Sequence, residues 1–229
     1  MTTLTKPQLL SGNMLKILAA VTMTVDHIGY IFFPGQALWM IIGRIAMPIF
    51  AYMIAEGCYH TRSKVRYFLS VLGLGLLCQS VYVAFVGSWD FCMPVNFALS
   101  IVLVCLLEQA VQERSALWGL LFVLITALVY LVNRVVRFDY GFWGCMLPVF
   151  CCLPRLLGRK EQLLSVLTLG IGLVILSFHS STLQWWSLLA LPLLALYSGQ
   201  RGKLPMKYFF YIFYPLHLAL LQGIAWLLA

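Results

Sequence analysis

Asp26 and His27 sit side by side in an apolar run, Arg44 interrupts the next run, and His217 lies deep in the last one. An ionisable side chain in hydrocarbon is costly, so each marks a functional position by default. Spacing places them at one depth. His27 is eleven residues past Lys16, about 16 Å along a helix and three full turns, hence on the same face. His217 is ten residues past Lys207, about 15 Å up its helix by the same rise. Arg44 enters from the opposite end of its run and reaches a similar level. Neighbours on a helix diverge by about 100°, so Asp26 faces Arg44 rather than His27. A histidine is a base near neutral pH, and a buried arginine attracts an anionic group. Together they predict a polar cavity that handles protons or an anion. The plainer alternatives are a packed, hydrogen-bonded histidine and a structural Asp26–Arg44 ion pair.

Further residues extend the candidate site. Tyr208, Tyr211, Tyr214 and His217 recur every three residues, a stripe that turns inward. Tyr208 fits an interfacial belt, whereas Tyr214 is too deep for one. Pro215 is expected to kink this helix and free carbonyls beside His217. Glu56 has His60 four residues on, and therefore on the same face; Glu108 is close enough to its helix end to snorkel. Asn96 and the segment from Arg134 to Gly144 fall at the outer end. There Asp139, Tyr140 and Gly141 open a helix, with Asp139 as its N-cap or as part of a substrate-facing rim. Lys16, Lys203 and Lys207 are placed to hold the phosphates of a cytosolic anionic donor, and His27 to act as base on an acceptor from outside. Spacing alone equally permits a proton-coupled small-molecule transporter using Asp26, Arg44 and His217. An inverted repeat would favour that alternative, and the sequence has none. A scaffold whose polar residues merely hold the bundle together is the third reading.

The elements that must carry these residues follow from composition. The chain has 229 residues, 62% of them apolar and 10% charged, with a mean hydropathy of +0.95. A soluble domain averages about 25% charged residues. These values exclude a cytosolic globular enzyme, a disordered tail and a secreted disulfide domain. Seven cysteines, an odd count lying mostly in apolar runs, read as small apolar filler. We expect an all-α polytopic transmembrane bundle forming one domain over 1–229. Nine apolar runs lie near 14–33, 38–57, 67–87, 94–112, 115–133, 141–157, 162–178, 182–198 and 208–228. The first reads as a retained span rather than a signal peptide. With the N-terminus in the cytoplasm, twelve of fifteen Lys and Arg fall in inside segments, Arg134 and Arg137 outside, and Arg44 within a span. That asymmetry predicts nine spans with the C-terminus outside. The net charge of +8 is scattered between apolar runs, so it anchors the chain in a membrane and does not indicate nucleic acid.

The residues also resemble a known family. Lys16-x9-Asp26-His27, then Gly43-Arg44-Ile45-Ala46-Met47-Pro48-Ile49-Phe50, then Glu56-Gly57 with His60-Thr61, resemble the opening of the TraX family. Asp139-Tyr140-Gly141 followed by Gly144 resembles a later motif, and Lys207 to Leu218 the closing one. Met47 stands where phenylalanine is usual. The matches run in order from residue 16 to 218. The resemblance implies an acyltransferase of the bacterial cytoplasmic (inner) membrane. The family's best-known member, the conjugative pilin acetylase, moves an acetyl group from acetyl-CoA to the N-terminal amine of a pilin. It further implies acetyl-CoA as co-substrate and an acceptor such as a pilin-like protein or a glycan. The Lys-x10-His spacing is similar to an element of membrane acyltransferases in which the histidine is catalytic, a role that would pass to His27. On this reading Asp26, Arg44 and His217 join it, Lys16, Lys203 and Lys207 bind the donor, and Glu56, Asn96, Asp139, Tyr140 and Tyr214 bind substrate. No metal is expected, because two histidines on distant helices and scattered cysteines lack ligand spacing.

Overall fold

A computed structural model describes residues 9–87, 89–159, 161–203, 206 and 209–228. Lys6, Lys160, Lys207 and Tyr208, all used in the sequence reading, lie outside the described residues. The described chain is all-helical: α1 (Gly12–Phe32), α2 (Ala37–Gly43), α3 (Ala46–His60), α4 (Lys64–Val86), α5 (Met93–Gln112), α6 (Ala116–Val135), α7 (Gly141–Leu156), α8 (Gln162–Phe178), a 3₁₀ helix (Thr182–Leu189) continued by α9 (Ala190–Ala195), and α10 (Phe209–Leu228). Taken with α2 and α3 as a single 24-residue passage, six segments are long and apolar enough to cross a bilayer. Three shorter apolar segments complete the bundle. The chain is an integral membrane protein.

Where the segments break has a covalent cause. The run expected over 38–57 is a single passage, Ala37–His60, whose helical hydrogen bonding lapses at Arg44 and Ile45 while both residues keep right-handed helical dihedrals. Pro48 lies four residues after Arg44, has no N–H to give the Arg44 carbonyl, and crowds it with its ring. A proline in the first turn of a helix is tolerated, so α3 starts afresh at Ala46. Broken helices at membrane depth occur where they line a cavity, and this break lines one. The eighth run is also not a simple α-helix. Its first eight residues wind as a 3₁₀ helix, which rises about 2.0 Å per residue. Fourteen residues thereby reach about 25 Å.

Small residues set the closest approaches. A Cβ on Gly43 would run into the side chain of Asp26, and one on Gly29 into Trp39, so α1 and α2 pack with their backbones close. The core is apolar and continuous, with Leu15, Ala19, Ile49, Tyr52, Leu103, Leu147, Leu169 and Leu173 fully enclosed. Helix α6 is the opposite case. Leu117, Leu120, Val123, Leu124, Leu128 and Leu131 are all exposed on it, as a lipid-facing helix requires.

The two ends of the bundle differ. At one end the start of α1 is tied to the loop before α10, with the Gly12 and Asn13 amides donating to the carbonyls of Gln200 and Arg201. Glu56 there accepts from Arg155 and lies 3.2 Å from His60, and Lys64 pairs with Glu108 at 2.8 Å. The opposite end gathers residues 89–92 and 136–140, joined by the Phe91 amide donating to Arg137 and the Asp139 amide to Phe91. The basic residues expected in the cytoplasm, where described, belong to the first end.

Candidate functional site

A cavity of about 860 Å³ extends from the layer of His27 to the end of the bundle bearing residues 89–92 and 136–140. Asp26, His27, Arg44, Asp139, Tyr140 and Tyr214 line it, with Tyr30, Tyr82, Asp90 and Arg137 nearer the mouth. Six segments thus meet: α1, the α2–α3 break, α4, the loop before α5, the turn before α7, and α10.

The helix break positions Arg44. Its Nη1 lies 3.4 Å from the Tyr140 hydroxyl and 3.5 Å from Gln184 Oε1, both long contacts, and its guanidinium carbon is 5.7 Å from the Tyr140 ring centre. Arg44 Nε is enclosed without a hydrogen-bond partner, as is Asp26 Oδ1. The two groups share the cavity but form no ion pair; the expected Asp26–Arg44 salt bridge is replaced by the Arg44 contacts to Tyr140 and Gln184. Enclosed polar atoms without partners are rare and call for an explanation. Here both belong to residues that line the cavity.

His27 and His217 touch. His27 Nδ1 is 2.9 Å from His217 Nε2, with the ring centres 5.1 Å apart and the planes 22° from parallel, an edge-to-edge pair. The second nitrogen of His217 lies 2.9 Å from the Phe213 carbonyl. The carbonyl that Pro215 leaves without an N–H partner is that of Tyr211, four residues before it, so the Phe213 contact does not arise from the proline. His217 is enclosed behind His27 and does not line the cavity, whereas Tyr214, one turn earlier, does.

The turn before α7 differs from expectation in one respect. Asp139 is not the helix cap. Tyr140 occupies that position in the left-handed region, with φ 60°, and the first-turn amide of Phe142 donates to Asn133 Oδ1 at 3.1 Å. With a side-chain acceptor supplied from α6, the Asp139 carboxyl is free to line the cavity. Surrounding protein strips water from it and pushes it up to about 6, with Arg44 opposing the shift and Asp26 adding to it. Access through the cavity tempers that desolvation, since the Asp139 side chain remains exposed there. Tyr140 is pushed up as well, chiefly by desolvation, and stays a neutral donor. Asn96 is enclosed beneath this turn and donates to the Asp139 and Gly141 carbonyls at 2.8 and 3.3 Å. It shapes the cavity wall from behind.

The remaining expected residues lie elsewhere. Glu56 is at the opposite end, in its cluster with Arg155 and His60. Lys16 and Lys203 are at that same end and do not line the cavity. Arg201 joins them there, close enough to Lys16 for their charges to interact. Among the described residues no group of three or more His, Cys, Asp or Glu could hold a metal ion. Two contributors were not foreseen. Gln184 lies in a run read as apolar, and Asn133 in a helix end; each acts through a contact set only by the tertiary fold.

The profile of the TraX protein family matches residues 11–225. A probable fimbrial assembly protein, FimC of serogroup H1, from Dichelobacter nodosus is 27% identical over 92% of this chain and 94% of its own length. An uncharacterised protein of Rickettsia prowazekii is 45% identical over 47 residues, covering 20% of this chain and 19% of its own. No solved structure gives a significant match.

Proposed function

We propose that this chain, which belongs to the TraX family, is an integral membrane acetyltransferase that moves an acetyl group from cytosolic acetyl-CoA to an amine or hydroxyl acceptor. The observation that carries the reading is His27 on the wall of a cavity shared with Arg44 and Tyr140. In this scheme His27 removes the acceptor's proton as the amine or hydroxyl attacks the thioester carbonyl. Arg44 and the Tyr140 hydroxyl stand where they can donate to the developing oxyanion. Asp26 and Asp139 balance the charge of Arg44 and of a cationic acceptor. Lys16 and Lys203, with Arg201 beside them, hold the donor's phosphates at the cytoplasmic end. Lys207, outside the described residues, is assigned to the same task.

The cavity's mouth supports an acceptor arriving from the outer side. The relative named for fimbrial assembly supports a pilin-like acceptor within a bacterial inner membrane. A glycan hydroxyl remains compatible with the same chemistry.

The broken α2–α3 passage favours one rival, because transporters place such breaks at their binding sites. Purified protein in detergent, given labelled acetyl-CoA and candidate amines, separates the two. The enzyme reading expects acetyl-CoA hydrolysis, self-labelling or transfer, and a His27→Ala variant at least about 100-fold slower. No donor binding at millimolar acetyl-CoA would sink it.

A further inference from the structure

The contacts of His27 and His217 have a direction. His217 Nδ1 lies 2.9 Å from the Phe213 carbonyl oxygen. A carbonyl oxygen only accepts, so Nδ1 carries the proton, and in the neutral ring Nε2 bears the lone pair. That lone pair faces His27 Nδ1 at 2.9 Å. His27 Nδ1 must therefore donate, which leaves the lone pair of His27 on Nε2. Packing holds the arrangement. The Phe213 ring lies parallel to His217 at 5.0 Å and 8°, and Tyr214 meets it edge-on at 5.7 Å. His217 is 6% exposed, while His27 reaches the cavity.

We propose that His217 is a positioning residue that fixes His27 in the Nδ1–H tautomer, and that the two rings share, as one unit, the proton taken from the acceptor. The first half stands on geometry alone; the second rests on the acetyl-transfer reading. As a neutral amine attacks the thioester carbonyl, the C–N bond forms and the amine proton passes to His27 Nε2. The His27 Nδ1 proton moves toward His217 Nε2, while His217 Nδ1–H stays on Phe213. When the C–S bond breaks, the proton returns through His27 Nε2 to the leaving thiolate. Products are the amide and free thiol, and both rings regain their starting tautomers. Without an acceptor on its Nδ1, His27 has no reason to keep Nε2 unprotonated, and a base presenting the wrong nitrogen is inert.

The test uses the full chain in detergent at neutral pH with ¹⁵N-labelled histidine. Ring nitrogens are read by long-range ¹H–¹⁵N spectra and assigned by substituting each of the four histidines. In the wild type both His27 and His217 should show Nδ1–H. His217→Phe keeps an aromatic ring against Phe213 and Tyr214 and removes the acceptor, so His27 should change to Nε2–H. His217→Gln supplies an amide oxygen near the lost Nε2, so His27 should keep Nδ1–H. Kinetically, the Phe variant should lose about 100-fold or more in kcat with KM little changed, and Gln should restore part of it. An Nε2–H His27 in the wild type, or Nδ1–H persisting in His217→Phe, overturns the assignment. The expected tautomers with no acetyl transfer would support the pair and refute the acetyltransferase reading alone.

Discussion

Asp139 is a cavity residue whose charge changes within an accessible pH range. Desolvation, tempered by its exposure to the cavity, pushes its carboxyl up toward about 6, against an ordinary value near 4. The folded state therefore holds this proton more tightly than the unfolded chain. The group's contribution to stability is fully present below about pH 4, falls as pH rises to about 6, and is level above that. Asp139→Asn should remove this component, so its Tm should fall less than that of the wild type between pH 4 and 6. Parallel Tm profiles would contradict the assignment. At the same scale, His27, Arg44 and His217 were legible in the sequence because each is a costly group at a depth that counting from a helix end can fix. The His27–His217 contact was not, since spacing gives depth but not the rotation that turns two rings together. Gln184 and Asn133 escaped notice because an uncharged amide in an apolar run gives no comparable signal.

At the scale of elements, the α2–α3 break and the closeness of α1 and α2 make separable predictions. Pro48→Ala restores the missing N–H, allowing the helix to run on through Arg44. The variant should retain or gain thermal stability yet lose most acetyl transfer, because Arg44 would leave its place near Tyr140 and Gln184. Unchanged activity would show that the break is incidental. Gly43→Ala should destabilise by about 1–3 kcal/mol, since its Cβ meets the Asp26 side chain; a Tm at the wild-type value would refute that close packing. The helices themselves were legible from apolar runs, and α8 matches its expected bounds of 162–178. The break was not, although Pro48 was visible. A proline near a helix start is as compatible with a first turn as with a kink, and only packing decides. The 3₁₀ stretch likewise has no periodic signal distinct from an apolar helix.

For the whole molecule, charge distribution carries the topology. The basic residues expected inside gather at one end of the described bundle, away from the cavity mouth. There Glu56 and Arg155 are paired with their side chains 9% and 16% exposed. Glu56→Ala leaves a nearly enclosed cation unpaired and should cost about 3–5 kcal/mol. It should leave the kcat of surviving protein near wild type, because the pair lies at the opposite end from His27. A kcat loss without a stability loss would place Glu56 in the chemistry instead. Orientation yields a more direct test of the central claim, which joins a donor from the basic end to an acceptor from the cavity end. Reconstituted in sealed proteoliposomes of known orientation, the protein is given labelled acetyl-CoA on its basic side and an amine acceptor on the cavity side. Acetylated acceptor should appear in the cavity-side compartment, and none should appear when His27 is alanine. Transfer requiring donor and acceptor on the same side, or transfer undiminished by His27→Ala, would contradict it.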